Sequence, residues 1–156
     1  MQTGWAVKLL GLGHHLPARA VDNAEIEARC GLTPGWVERR TGVRQRRWVA
    51  GETSSQMGAA AAREALADAG LSARDVDLVL NASGTQQQAI PDGGPLIQRE
   101  LGLADSGVPC YSVHATCLSF LVAVQLAAHL IAAGTHRRAL IVSADIASCG
   151  LGFAHP

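Results

Sequence analysis

The chain carries no net charge, because 13 Lys and Arg offset 13 Asp and Glu. Without an excess of positive charge, nothing in the composition supports a nucleic-acid footprint. The four cysteines, Cys30, Cys110, Cys117 and Cys149, form no C-x-x-C pair, and the six histidines fall into no zinc-finger spacing with them. A bound metal is therefore not expected. No charged stretch followed by an apolar one opens the chain, since Gly4, Lys8 and Gly11 break the run from Met1 to Leu12. The longest apolar run, Leu118 to Ala133, is interrupted by Ser119, Gln125 and His129 and is too short and too polar to span a membrane. These absences lead to the expectation of a cytoplasmic protein with free thiols, with neither nucleic acid nor membrane as partner.

What is present reads as a folded domain. Hydrophobic residues make up 48% of the chain and charged residues 17%, which suits a globular core and not a disordered tail. At 156 residues the chain has single-domain size, and such a domain buries about two-thirds of its unfolded surface. No linker and no internal repeat divides it.

Along the chain, Trp5 to Leu12 reads as a first buried strand, followed by a loop at His14–Pro17. Asp22 or Asn23 caps a short helix running through Arg29 and closed by Gly31. A second helix is expected with Thr33 as cap and Pro34 at its first position, stopping at Gly42. Arg46–Val49 suits a short strand. Thr53 and Gln56 form a capping-box pattern ahead of an Ala-rich helix that Gly70 ends. Asp77–Ser83 is a strand of the buried, parallel type, and Gly84–Ile90 a glutamine-rich loop. Pro91–Pro95 turns into a helix ending at Gly102. Cys110–Val113 is a strand, Leu118–Ala133 a helix, and Ala139–Ala144 a last strand. Strands alternating with helices imply an α/β fold with a mainly parallel sheet and right-handed crossovers. The glycines Gly11 and Gly13 lack a third partner and open a loop, so dinucleotide binding is weakly supported.

Cys117 is the most informative residue. It sits between a strand and a long apolar helix, where unpaired N–H groups and the helix dipole favour a thiolate, the form that attacks carbonyls. The bland alternative is a small buried hydrophobe. His114 lies three residues earlier. It stands either as a base near the thiol or as a ring bonded to the backbone, and the second is the commoner fate of such a histidine.

Four segments together bear on family: Gly11-Leu12-Gly13-His14-His15-Leu16-Pro17, the block Trp36-Val37-Glu38-Arg39-Arg40-Thr41-Gly42-Val43-Arg44, Asp77–Ser83 with the loop to Pro91, and the Cys117 turn. In these the chain resembles the N-terminal half of the β-ketoacyl-acyl-carrier-protein synthase III family, within the thiolase fold. The resemblance implies a mainly parallel sheet flanked by helices and a buried central helix starting at Cys117, with residues 1–156 as one half-domain. It implies acyl transfer in two steps, with acyl-CoA as a substrate and no permanently bound cofactor. Cys117 matches the family's nucleophile, and Trp36 and Arg40 match residues that sandwich the adenine of coenzyme A, a contact that an indole and a guanidinium suit. Ile90 falls where the family places a residue capping the partner subunit's acyl pocket, with simple dimer packing as the alternative, and His114, standing where relatives commonly have a small residue, could with Leu118 reshape the substrate pocket. Arg44, Arg46 and Arg47 suit coenzyme A phosphates or an acidic acyl carrier protein, or else form an ordinary solvated face.

Members of this family have about twice this length, and their second half supplies the catalytic histidine, an asparagine and a glycine N–H of the oxyanion hole. Either that half sits on another polypeptide or the chain is a truncated or cleaved product, and the expected assembly is a homodimer or a complex with a chain supplying the missing half. An oxyanion donor contributes a few kcal/mol, so the chain alone is expected to be a poor catalyst. Leu118-Ser119 after the cysteine, where many relatives have a small residue and glycine, puts acetyl specificity in doubt. It keeps open a non-condensing acyltransferase, and a non-catalytic partner subunit is the remaining alternative. A helix apolar on every side needs cover on every side, so exposed apolar surface is expected of the isolated chain.

Overall fold

The structure, a computed structural model, describes residues 7–153. They fall into two compact units, one of residues 7–15 and 53–145, the other of residues 16–52 and 146–153.

In the second unit a two-stranded antiparallel ribbon pairs β1 (Arg19–Asp22) with β2 (Gln45–Trp48), Arg19 lying opposite Trp48. Asp22 ends β1 and caps α1 (Asn23–Cys30) by accepting the Glu25 N–H, and Gly31 closes the helix in left-handed geometry at φ 64°. The next helix starts later than its sequence suggests. α2 spans Trp36–Thr41 with Gly35 at its N-cap, so Thr33 and Pro34 lie ahead of it in a turn. The reason is local. Gly35 adopts φ 78°, a left-handed conformation open to glycine, and this interrupts the helical path from Thr33.

The first unit holds the sheet. α3 (Ser54–Asp68) begins with the expected capping box, Thr53 accepting from the Gln56 backbone and Gln56 reaching back to the Thr53 N–H. After it come β3 (Leu78–Asn81), α4 (Gly93–Glu100), β4 (Cys110–Ser112), α5 (Ser119–Ala132) and β5 (Ala139–Val142). The strand order is β4-β3-β5, all parallel, with Val79 opposite Cys110 and Leu78 opposite Ala139. Alternate residues of β3 serve two cores. Val79 faces Ala62, Leu66, Ile97, Leu140 and Val142, on the side of α3 and α4. Leu78, Leu80 and Ala82 face Ala123 and Ala127 of α5.

One expectation needs correction. No strand forms over residues 7–12, and Val7, Leu9, Leu10 and Leu12 are exposed; Trp5 and Ala6 lie outside the described residues. The segment lies against α3 instead of pairing with a strand. The Leu12 N–H donates to Asp68 at 2.9 Å and the His14 N–H to Glu64 at 2.7 Å. Gly11 and Gly13 come so near the α3 backbone that a Cβ would lie 2.4 Å from the Ala65 carbonyl and 2.2 Å from that of Ala61. The helix expected at Cys117 forms next to it, from Ser119, with Ser119, Ala123, Ala127 and Ala128 of α5 buried. In this chain the helix is covered on one side.

Candidate active site

Cys117 occupies a single 3-10 turn, Thr116–Leu118, between β4 and α5. Thr116 has φ 54°, and it is the one non-glycine with positive φ among the described residues. A β-branched residue there stores strain of about 1–3 kcal/mol, which persists only when the surroundings enforce it. Ser119 does the enforcing. Its hydroxyl donates to the Thr116 carbonyl at 2.8 Å and accepts the Ala115 N–H at 2.9 Å, while the Leu118 N–H donates to the Ala115 carbonyl at 3.0 Å. The turn leaves the Cys117 thiol exposed.

Around this turn the carboxyl ends of the three parallel strands converge, the place where open α/β sheets bind ligands. Asn81, fully buried, ends β3 by donating to the Ser112 hydroxyl at 3.2 Å and accepting from the Ser83 hydroxyl at 2.7 Å. Ser83 in turn accepts the Ala144 N–H at 3.0 Å. Three strand ends are thus tied by side chains. Beyond Ser83 the loop is fixed at two further points. Asp145 accepts both the N–H and the hydroxyl of Thr85, at 2.6 and 2.9 Å. Gln87 accepts the Ser55 N–H at 3.1 Å, at the start of α3. At the loop's far end Ile90 is 89% exposed.

His114 faces this loop. Its Nδ1 lies 3.2 Å from the Ser83 carbonyl, which can only accept, so Nδ1 carries the proton. The other ring nitrogen, Nε2, lies 3.3 Å from the Gln86 side-chain amide nitrogen and 3.6 Å from Asp92 Oδ2. Asp92 also caps α4, accepting the Gly94 N–H at 3.2 Å. Cys110 is the opposite of Cys117. Burial, helped by the negative charge of Asp92, pushes its thiol up to about 12, so at neutral pH it is a packing group.

Trp36 and Arg40 lie on α2 in the other unit. Trp36 is 38% exposed, and the Arg40 guanidinium sits 5.8 Å from its ring centroid. A purine between them needs two van der Waals thicknesses, roughly 7 Å, so it enters only with Arg40 swung outward. The neighbouring arginines are engaged within the same unit. Arg44 pairs with Glu38 at 2.8 Å, Arg46 donates to Asn23 at 2.8 Å, and Arg47 donates to the Ala18 carbonyl at 3.0 Å. Sequence reasoning missed Ser119, Asp145 and Thr85. Only the spacing of Ser119 from Ala115, one helical turn, hints at its role. Among the described residues no group of three or more His, Cys, Asp or Glu side chains could hold a metal ion. No helix there is long and apolar enough to cross a membrane.

Comparison with known proteins bears on this geometry. Residues 111–154, which include the end of β4, Cys117, α5 and β5, match the family model of 3-oxoacyl-[acyl-carrier-protein (ACP)] synthase III. A β-ketoacyl-[acyl-carrier-protein] synthase III of Rhodospirillum rubrum is 40% identical over 96% of this chain and 46% of its own length. The chain matches the N-terminal part of the β-ketoacyl-acyl-carrier-protein synthase III family. The fold agrees. The crystal structure of the synthase III from Aquifex aeolicus superposes with TM-score 0.88 at 31% identity, covering 94% of this chain and 47% of the other. The priming β-ketosynthase of the R1128 polyketide pathway superposes with TM-score 0.85 at 34% identity, covering 94% and 44%. The architecture is thus thiolase-like, and the chain spans less than half the length of these synthase III relatives.

Proposed function

We propose that this chain carries the acyl-accepting part of a condensing enzyme of fatty acid or polyketide synthesis, with Cys117 as the nucleophile. The observation that supports the reading most is the Thr116 geometry: a strained, Ser119-clamped turn that holds an exposed thiol at the carboxyl end of a parallel sheet. Such strain persists where it positions a reacting group.

In the proposed reaction the Cys117 thiolate attacks the thioester carbonyl of acyl-CoA. The acyl–sulfur bond to coenzyme A breaks, and coenzyme A leaves as its thiol after taking a proton. A malonyl thioester on the acyl carrier protein then loses carbon dioxide. The resulting enolate carbon attacks the acyl group on Cys117, and the cysteine is expelled as thiolate. Trp36 and Arg40 would stack on the adenine of coenzyme A, and His114 and Ile90 would line an acyl pocket, Ile90 in that of a partner subunit. The base and the remaining oxyanion donors would come from the second half that the family resemblance implies. A cytoplasmic setting fits free thiols and soluble thioester substrates.

The test is intact-mass measurement after incubation with acyl-CoA, with the corresponding second half of a relative supplied. Acylation of Cys117, absent in Cys117→Ala, is expected, together with carbon dioxide release when a malonyl thioester is added. Acylation without carbon dioxide release would favour a non-condensing acyltransferase. Full activity of Cys117→Ala in the assembled complex would leave the chain as a non-catalytic subunit and overturn the reading.

A further inference from the structure

Glu27 is a carboxylate that the proposed reaction does not use, yet it is 94% buried by the packing of α1 against α2 (relative exposure 6%). Burying a charge costs several kcal/mol unless donors replace its water. Here the donors are two backbone amides. Oε2 accepts the Gly35 N–H at 3.0 Å and Oε1 accepts the Val37 N–H at 2.9 Å. These amides flank Trp36 on both sides. No other side chain performs this task, since the N-cap of α2 is Gly35, which makes no side-chain capping bond. The start of the short helix is held further by the Trp36 N–H donating to the Thr33 carbonyl at 3.1 Å and by the Arg39 guanidinium donating to the Pro34 carbonyl at 3.2 Å. An apolar residue at position 27 would fill the space but leave two N–H groups, the buried one of Val37 and the part-buried one of Gly35, without this acceptor.

We infer that Glu27 is the positioning residue of the coenzyme A clamp: one buried carboxylate grips the peptide on either side of Trp36 and so sets the indole face on which the adenine stacks. The inference rests on the reading of Trp36 and Arg40 as the adenine site and deepens it. A six-residue helix with no side-chain N-cap of its own would otherwise fray at its start, and the ordering of its indole would be lost from the binding free energy of the nucleotide. Glu27→Gln keeps size and shape but turns an amide NH2 toward one of the two N–H groups, so one hydrogen bond is replaced by opposed donors.

The test is calorimetric binding of adenosine 3′,5′-bisphosphate, the nucleotide end of coenzyme A, to the full chain, which needs no catalysis by Cys117. Glu27→Gln is expected to weaken binding about tenfold, the loss of one charge-assisted hydrogen bond. The control is Glu52→Gln in the same unit, where the carboxylate likewise accepts two amides, those of Ala18 and Ala50, away from α2. It should bind as the parent does. Should Glu27→Gln fail to fold by circular dichroism, Glu27→Asp, which keeps the charge on a shorter stem, carries the test with a smaller loss. Parent-like binding by the Glu27 variants, or equal weakening by Glu52→Gln, overturns the inference. If the parent chain and Trp36→Ala bind the nucleotide equally, or neither binds it, the adenine site itself is wrong and Glu27 falls with it. Acylation of Cys117, measured separately, decides the nucleophile independently.

Discussion

Leu78 and Val79 are neighbours in β3 and both fully buried, yet they belong to unequal halves of the sheet. From Val79 the packing runs on through Ile97 of α4 and Ala62 and Leu66 of α3, two helices that together seal their face. From Leu78 it reaches Ala123 and Ala127 of α5, with the partly buried Leu126 and Leu130 of the same helix. Beyond them Phe120, Leu121 and Val124 stand in solvent, at 45%, 63% and 38% exposure. One strand with the same apolar character on both sides thus supports a finished face and an unfinished one. The side chains of α5 are those of a central layer, while its environment in this chain is that of an outer one.

Substitution on the two faces gives the largest expected contrast. Ile97→Ala, at 1% exposure, removes methylenes from the sealed core and is expected to cost about 2–5 kcal/mol in denaturant unfolding. Leu121→Ala should change stability by no more than about 0.5 kcal/mol. It should instead alter association. The parent chain is expected to run larger than a monomer in light scattering, and Leu121→Lys to shift it toward one. A monodisperse parent monomer, or a Leu121→Ala loss equal to that of Ile97→Ala, would break the comparison between the faces.

The same inequality explains what could be read from the residues alone. The capping box at Thr53 and Gln56, the strand at Leu78–Asn81 and the helix after Cys117 are legible because their signals are local and periodic. β1 was not foreseen. Arg19–Asp22 has no apolar alternation and becomes a strand only because Gln45–Trp48, more than twenty residues on, pairs with it. Conversely, residues 7–12 look like a buried strand and form none, since among the described residues no strand pairs with them and α3 offers acidic side chains to their amides. At the site, the position of Cys117 follows from the strand-to-helix pattern. The left-handed Thr116 does not, because a β-branched residue argues against that conformation and only the Ser119 clamp imposes it.

A smaller contrast lies between the two cysteines of the sheet unit. Cys117 is exposed, whereas Cys110 packs under α4, where a Cβ on Gly94 would come within 2.7 Å of its sulfur. Iodoacetamide at pH 8 is expected to label Cys117 more than about tenfold faster than Cys110, read by peptide mass. Because folding favours the protonated Cys110 thiol, the stability it contributes is intact below the ordinary thiol pKa and is lost as pH rises from there through about 12. Cys110→Ala should flatten the alkaline limb of the stability profile. Equal labelling of the two thiols would mean that the sheet edge at β4 opens readily.

The smallest expected effect is at the other end of β3. Asp77 accepts the Arg137 N–H at 2.8 Å and the Arg138 N–H at 3.0 Å, tying the strand's start to the turn before β5. Burial alone would raise this carboxyl, but the two amides, with His136 beside them, outweigh it and hold it below the usual carboxylate range. A depressed folded value means that the contribution to stability is present above about pH 4 and is lost as pH falls through the lower, folded value. Asp77 is 42% exposed, so water screens it, and Asp77→Asn should cost less than about 1 kcal/mol at pH 7. That cost should shrink as pH falls through the lowered folded value and the parent carboxyl itself takes up its proton. A cost that stays constant across that range would show that Asp77 acts by shape and not by charge, and the strand's start would then owe its register to β5 pairing alone.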